Sequence, residues 1–451
     1  MMDAGRHPNI SLLTYSDVER VSGYIGNFQV RIRKRARFVN ADLCTGCGLC
    51  QEKCPSNVID DGYEAGMAKR KAIYRPFAQA VPNVPVLDTE NCIYFQRDGR
   101  CGACAKLCPT GAVDYQQEDE LLDVEVGTII IATGFGMWNP TQLPQYSYTK
   151  SPNILTGLQF ERLTSATGPT EGEILTDEGK VPKAVAIIHC VGSRDENAHE
   201  YCSRFCCMYS LKHAHQVRDK TDAQVYEFYM DMRTSSKAYE EFYGRVQEEG
   251  VVFVRGRGAE VQVLSDGKLR VKGEDVGLSR LVTADVDMVI LSSAIEPRPE
   301  TSQVATMFGL GRTADGWFAE AHPKLRPAET STAGIFLAGS CQGPRDIPDT
   351  VAHAGDAAQE AIQLLNKGKV IISPVVAEVT EDRCVGCSEC ILACPYSAVD
   401  FGANDKAKVN AALCHGCGTC VAACPSGAMV ELHFTDEEIV AQIDGLLEMV
   451  W

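Results

Sequence analysis

The sequence predicts an α/β protein of several domains, with two small cysteine-rich modules set into and after its core. Three observations support this prediction. The chain has 451 residues, more than one ordinary domain contains. Short apolar runs such as VAIIH (185–189) and GTIIIATG (127–134) have the length of buried strands and alternate with helical patterns. The 21 cysteines fall into clusters, and only Cys341 stands apart.

Composition narrows the class of protein before any motif is considered. The apolar fraction of 45% and the charged fraction of 23% are typical of folded chains. A net charge of −17 disfavours binding to nucleic acid, which needs a surplus of Lys and Arg. The polar start MMDAGRHPN has no secretory signal, and no apolar run reaches 18 residues, so we expect a cytoplasmic protein without a membrane span. In a reducing compartment clustered cysteines usually bind metal.

One cysteine motif occurs four times. Three copies have the spacing C-x2-C-x2-C-x3-C-P and begin at Cys44, Cys384 and Cys414. The fourth copy is stretched, because its first cysteine, Cys92, lies nine positions before Cys101, which opens C-G-A-C-A-K-L-C-P. This spacing resembles that of bacterial ferredoxins, which hold [4Fe–4S] clusters. Paired C-x2-C motifs also suit zinc, but zinc sites rarely have the trailing C-x3-C-P.

The spacing also predicts which motifs share a cluster. In two-cluster ferredoxins the fourth cysteine begins a helix that points away and ligates the other cluster. We therefore expect four crossed sets of ligands: Cys44, Cys47, Cys50 and Cys108; Cys92, Cys101, Cys104 and Cys54; Cys384, Cys387, Cys390 and Cys424; Cys414, Cys417, Cys420 and Cys394.

A fifth group of cysteines lies between the two modules. Cys190 follows the apolar run VAIIH, and Arg204–Gln216 is predicted to begin a helix that carries Cys206 and Cys207 in its first turns. The group could hold a fifth [4Fe–4S] cluster, or its members could be buried thiols. Two adjacent cysteines are awkward on one cluster, so another ligand could replace one of them. The candidate ligands are Cys190, Cys202, Cys206 and Cys207.

Two strand ends in the core have the pattern of a nucleotide-binding site. The first strand ends in Ala-Thr-Gly and the second in Ala-Gly, followed by a turn and a helix whose start could face an anionic or electron-rich ring. We expect Asp349 and Thr350 to cap that helix. In this order the motifs resemble the two later FAD contacts of the thioredoxin reductase family. The implied contacts are Ala132, Thr133, Gly134, Gly339, Ser340, Pro348, Asp349 and Thr350.

The chain departs from that family in three ways. Where the pyridine-nucleotide domain has G-x-G-x-x-G, this chain has Cys190-Val-Gly-Ser193, so we expect no NAD(P)H site. The Asp that usually contacts the flavin ribitol is replaced by Ser340-Cys341. No G-x-G-x-x-G unit opens the flavin domain, so half of the dinucleotide cradle is missing from these residues.

The whole arrangement resembles the HdrA family of heterodisulfide reductases, which are iron–sulfur flavoproteins of anaerobes, without the segment that carries the first FAD motif. The segments HPNI, VSGYIGNF, CVGSRDE, YCSRFCCMYSLKHA and PRDIPDT carry the resemblance. It implies an incomplete thioredoxin-reductase-like two-domain flavoprotein core with two α+β two-cluster ferredoxin domains. The expected domains are a partial FAD meander (1–40), an inserted ferredoxin (41–118), an FAD continuation (119–180), a degenerate pyridine-nucleotide-like domain (181–300), an FAD part (301–368) and a C-terminal ferredoxin with a tail helix (369–451).

The resemblance also implies partners and a function. It implies an oxidoreductase subunit that distributes electrons between a hydrogenase or formate dehydrogenase module, ferredoxin and B/C-like reductase subunits, with flavin-based electron bifurcation as one mode. Either a separate chain would carry the missing FAD half, or the protein would be a truncated paralogue. The alternative hypothesis is a flavin-free iron–sulfur subunit that wires two partners together. A third interpretation, structural clusters in a nucleic-acid enzyme, conflicts with the acidic composition.

Overall fold

The computed structural model describes residues 2–369 and 373–448. The chain begins with α1 (Met2–Arg6), β1 (Ser16–Tyr24) and β2 (Asn27–Lys34). β1 and β2 form an antiparallel hairpin, and β2 alternates buried Phe28 and Val30 with exposed side chains, as a strand covered on one face does. The hairpin is the first part of a small sheet that the chain completes only much later.

A cysteine-rich module interrupts this sheet. Its elements are α2 (Leu49–Glu52), β3 (Val58–Ile59), β4 (Lys69–Arg70), β5 (Ile73–Tyr74), β6 (Val86–Leu87), α3 (Ile93–Gln96) and α4 (Ala103–Leu107). The strands pair as β3 with β4 and β5 with β6, around a small core that includes Ile73 and Leu87. The chain then returns as β7 (Glu120–Val126), which pairs antiparallel with β2. The module is therefore inserted between neighbouring strands of one sheet.

The centre of the protein is a layered α/β domain. Its elements are β8 (Ile129–Ile131), β9 (Gly136–Met137), β10 (Ile154–Thr156), α5 (Gly157–Leu163), β11 (Ala184–Val191), α6 (Cys206–Lys220), β12 (Gln224–Tyr229), α7 (Tyr239–Glu248), β13 (Val252–Arg255), β14 (Gly258–Val263), β15 (Leu269–Asp275), β16 (Arg280–Val286), β17 (Met288–Ser293) and β18 (Ile295–Glu296). A parallel sheet has the order β10-β17-β11-β12-β13, and β14-β15-β16 form a separate antiparallel sheet.

The apolar run of β11 explains this layering. Val185 and Ile187 face the core that contains helix residues such as Leu211, whereas Ala186 and Ile188 face the core shared with β14–β16. Because both faces of the strand are covered, the sequence shows a continuous apolar run instead of an alternating one. β11 is thus the buried parallel strand that its sequence predicts.

The next segment returns to the strands near the N-terminal sheet. It contains α8 (Thr301–Phe308), β19 (Ile335–Leu337) and α9 (Ile347–Lys367). β19 pairs parallel with β8, and Leu337 lies opposite Ile131. The two strand ends with nucleotide-binding patterns are therefore neighbours at the same edge of one small parallel sheet.

A second cysteine-rich module follows. It consists of β20 (Ala377–Val379), α10 (Glu389–Ala393), β21 (Val399–Phe401), β22 (Ala407–Val409), α11 (Thr419–Ala423), β23 (Met429–Glu431) and the tail helix α12 (Asp436–Glu448). β20 pairs with β23, and β21 pairs with β22. No helix within the described ranges is both long and apolar enough to span a bilayer.

A buried ion pair holds the inserted module against the central domain. The Arg162 guanidinium on α5 donates to both carboxylate oxygens of Glu64, at 2.9 and 3.2 Å. The two side chains are only 9% and 15% exposed, and Arg162 also stacks over the Tyr63 ring. Since water hardly competes at this depth, the pair fixes the position of the module on the core.

Candidate functional site

The inserted module contains two cavities lined by cysteines. Three cysteines of one motif and one of the other line each cavity, because α2 and α4 pack against each other. The first cavity is lined by Cys44, Cys47, Cys50 and Cys108. The second is lined by Cys54, Cys92, Cys101 and Cys104. The structure thus brings together the crossed sets that the motif spacing predicts.

The C-terminal module repeats this arrangement. α10 and α11 pack together, and two cavities lie at their ends. One is lined by Cys384, Cys387, Cys390 and Cys424. The other is lined by Cys394, Cys414, Cys417 and Cys420. His415 also lines this second cavity and stacks on Tyr396 at 4.1 Å, so it neighbours a complete set of four sulfurs.

The tight turns of the motifs depend on glycine. Gly46, between the first two cysteines of its motif, has a φ of +69°. A Cβ at this position would lie 2.7 Å from the Asn83 side-chain nitrogen. A glycine is therefore required both for the left-handed backbone and for the close approach of the neighbouring segment.

Backbone amides point at several of the sulfurs. The N–H groups of Ala112 and Ala398 donate to Cys108 and Cys394, each at 3.3 Å. A backbone N–H bond of the same kind lowers the pKa of Cys384. Such donors stabilise negative sulfur and so favour the thiolate that binds iron.

The donor sets fit a polynuclear cluster better than a single ion. Within 2–369 and 373–448, no three His, Cys, Asp or Glu side chains converge closely enough to hold one metal ion. A tetrahedral zinc site with Zn–S bonds of about 2.3 Å would hold its sulfurs only about 3.8 Å apart. Four sulfurs spread around one cavity suit the corners of a [4Fe–4S] cube.

The fifth cysteine group is gathered at the end of β11 and the start of α6. Cys190 has a φ of +56°, and Cys206 and Cys207 open the helix. Interaction with the Cys206 thiol lowers the pKa of Cys190 and Cys207, and the same interaction raises the pKa of Cys206. Cys202 is partly exposed, and its sulfur accepts from the Arg204 N–H at 3.3 Å. The structure therefore brings three of the four candidate ligands close enough to influence one another.

Two buried polar residues beneath this group were not singled out in the sequence. His189 and Glu227 lie 3.5 Å apart and are almost completely buried. Neither carboxylate oxygen of Glu227 has a hydrogen-bond partner among the described residues. The sequence could have pointed to these two residues, because each is an ionisable residue among apolar neighbours of a strand, and a buried Glu is rare without a partner.

The two flavin motifs converge as their order in the chain suggests. Ala132, Thr133 and Gly134 follow β8, and Gly339 and Ser340 follow β19, its parallel neighbour. Gly339 has a φ of +72°, and a Cβ there would lie 3.1 Å from the Thr350 methyl. The Nε of Arg345 is buried nearby without a partner among the described residues, which leaves a donor free for an anionic group. These residues fit one half of a flavin cradle.

The start of α9 differs from the expectation in one respect. Asp346, not Asp349 or Thr350, is the N-cap, and its carboxylate accepts from the Asp349 N–H at 2.9 Å. Pro348 lies in the first turn, and Asp349 forms an ion pair with Arg204, next to the fifth cysteine group. The predicted cap was wrong because Pro348 belongs to the first helical turn, so the residue directly before that turn is Asp346.

His353 on α9 is a structural residue. Its Nδ1 accepts from the Gly339 N–H at 3.0 Å, and its Nε2 lies 3.2 Å from the Pro327 carbonyl. Burial lowers its pKa, which favours the neutral ring that these two bonds require. It therefore holds the glycine turn in place.

Crossed cysteine cavities in modules before and after an α/β core in the chain define an oxidoreductase component of the iron–sulfur class. Residues 43–112 and 377–432 each match the model of the 4Fe-4S dicluster domain. The chain is 47% identical to the HdrA-type component of the H(2):CoB-CoM heterodisulfide,ferredoxin reductase of Methanothermobacter thermautotrophicus, over 99% of this chain and 67% of that protein. It is 43% identical to the corresponding component of the H(2)/formate:CoB-CoM heterodisulfide,ferredoxin reductase of Methanococcus maripaludis, over 99% of this chain and 68% of that one.

The chain therefore belongs to the HdrA family of heterodisulfide reductases, and it spans about two thirds of the length of these relatives. The predicted α/β fold with two dicluster ferredoxin domains is confirmed. Among solved structures, thioredoxin reductase from T. acidophilum is 14% identical, with a TM-score of 0.36 over 55% of this chain and 69% of that protein.

Proposed function

We propose that this chain is the iron–sulfur and FAD electron-transfer component of a heterodisulfide-reductase-like complex. The observation that carries the proposal is the presence of four crossed cysteine cavities, two before and two after a core in which two flavin motifs meet, in chain order. Iron–sulfur clusters pass single electrons, and bound FAD would supply exchange between electron pairs and single electrons. The chain's own residues would hold and position these groups.

The sixteen motif cysteines would hold four [4Fe–4S] clusters in the crossed sets described above. Cys190, Cys206 and Cys207, with Cys202 or another ligand, would hold a fifth. The turns after β8 and β19 and the start of α9 would hold one side of FAD. Ile130, in the middle of β8, is 42% exposed, which leaves room for a further element beside the strand. A βαβ unit with G-x-G-x-x-G, outside these 451 residues, would cover that strand and complete the cradle.

The relatives' names suggest the partners. They combine hydrogen or formate with two acceptors, the CoB-CoM heterodisulfide and ferredoxin. We extend this to a hydrogenase or formate dehydrogenase module as donor, and to ferredoxin and B/C-like subunits as acceptors, in the cytoplasm. Delivery of one electron pair to two acceptors is electron bifurcation, the mode that we assign to the complex.

The proposal is tested by anaerobic purification of the chain with its partner proteins. We expect FAD by chromatography of the released cofactor, and about 20 iron atoms per chain from five clusters of four. About 16 iron atoms would remove the site at Cys190–Cys207. A complete complex with iron but no flavin would favour the flavin-free wiring hypothesis instead. Zinc in place of iron would contradict both hypotheses.

A further inference from the structure

One cysteine in the inserted module has an unusual neighbour. The Tyr115 hydroxyl lies 3.0 Å from the Cys104 sulfur. Among the described residues, the other hydroxyls beside motif cysteines belong to Thr110, Thr419 and Ser426, at 3.4 to 3.6 Å. Tyr115 therefore makes the shortest of these contacts, and it is the only phenol among them.

The chemistry of a ligated cysteine sets the direction of this bond. A cysteine that binds iron is a thiolate and carries no proton. The Tyr115 O–H must then donate, and Cys104 accepts. Cys104 is only 8% exposed, so little water competes for the sulfur. A hydrogen bond to a negative acceptor in such a place is of the stronger, charge-assisted kind.

The stretched part of the motif holds the tyrosine in position. The Tyr94 ring stacks on the Tyr115 ring with centroids 3.7 Å apart and an angle of 9°. Phe95 meets the same ring edge-on at 6.1 Å. Both residues belong to 93–100, the insertion between Cys92 and Cys101 that the other three motif copies lack. The insertion thus supplies a rigid support for the hydroxyl.

We propose that Tyr115 raises the reduction potential of the cluster held by Cys54, Cys92, Cys101 and Cys104, with Tyr94 as its positioning residue. The inference rests on the cluster assignment of the proposed function. Reduction adds negative charge to the cluster, and a donated hydrogen bond stabilises that charge on sulfur. The bond would therefore make this cluster a better electron acceptor within the inserted module than it would be without the Tyr115 hydroxyl.

The test is a redox titration of the full chain in its complex, monitored by EPR. Tyr115→Phe keeps the ring stacking but removes the hydroxyl. The reduction equilibrium of one cluster should then shift about tenfold toward the oxidised form, which lowers its midpoint potential by about 59 mV for a one-electron couple. Iron content and the other midpoints should stay unchanged. The matched control is Tyr94→Phe, because the Tyr94 hydroxyl has no bond to a sulfur among the described residues; it should shift nothing.

A second substitution covers the case in which Tyr115→Phe fails to load iron. Replacement of Tyr115 by 3-fluorotyrosine keeps the ring and makes the phenol a stronger donor, so the same midpoint should rise. An unchanged midpoint in either loaded variant, or an equal shift in Tyr94→Phe, would overturn the role of Tyr115. Absence of iron–sulfur EPR signals from the unsubstituted complex would instead overturn the proposed function.

Discussion

The crossed cavities make a sharp prediction about Cys108. Although Cys108 belongs to the motif of Cys101 and Cys104, it lines the cavity of Cys44. Cys108→Ala should therefore empty the cluster of the other motif. If the four cysteines at each cavity act as one set, removal of two from the same cavity costs no more iron than removal of one. Removal of one from each cavity costs twice as much.

The expected iron counts follow from four iron atoms in each cluster. The unsubstituted chain should hold about 20 iron atoms, and Cys108→Ala about 16. Cys44→Ala combined with Cys108→Ala should still hold about 16, because both residues line one cavity. Cys92→Ala combined with Cys108→Ala should hold about 12, since independent sites add.

The assay is iron and acid-labile sulfide per chain after anaerobic purification. Cys341→Ala is the control, because Cys341 is buried near Ile131, outside the motifs, and its loss should leave iron unchanged. The reasoning fails if the Cys44 and Cys108 pair drops to about 12 while the Cys92 and Cys108 pair stays near 16. That result would mean that each motif ligates its own cluster.

Three further predictions concern the scaffold. Glu64→Gln leaves the Arg162 charge buried without a counterion, which should lower the free energy of local unfolding by about 3 kcal/mol. Amide hydrogen exchange at 60–67 should then be about a hundredfold faster, and unchanged exchange would contradict this. Burial lowers the pKa of His213 below its usual 6.5, so below about pH 6.5 this histidine binds a proton more readily in the unfolded state than in the folded state. The melting temperature should therefore fall as the pH drops below about 6.5, and His213→Gln should reduce that fall. Gly339→Ala, in a left-handed turn, should lower flavin content of the complex, whereas Gly355→Ala, with open space around it, should not.

Much of the fold and the site could be predicted because its signals are local. The fixed spacing of the cysteines and the glycine between them determine a turn, so the motif predicts both a cavity and its crossed partner. The apolar run of β11 predicts a strand covered on both faces, since no other position tolerates it. The Ala-Thr-Gly and Ala-Gly endings predict a nucleotide-binding pattern, and the pairing of Ile131 with Leu337 places both endings at one edge of a sheet.

Other features could not be predicted because they depend on residues far apart in the chain. Arg162 and Glu64 are separated by 98 positions, and each alone looks like an ordinary exposed charge. The stacking of Tyr94 on Tyr115 crosses the motif, and nothing in the spacing of the cysteines requires it.

The N-cap at Asp346, by contrast, was a local signal that the sequence did contain, because the proline two residues later marks a first helical turn.

The buried polar residues beside Cys190 bear on the choice between a fifth cluster and inert thiols. Free cysteines that serve only as small apolar side chains need apolar surroundings. Here His189 and Glu227 lie in the same sealed layer, at a cost in desolvation that apolar packing would not incur. The Ser203 hydroxyl, 2.6 Å from that of Ser193, ties the loop before Cys206 back to the strand. Such polar, hydrogen-bonded surroundings favour a site built around charge, which a thiolate-bound cluster would supply.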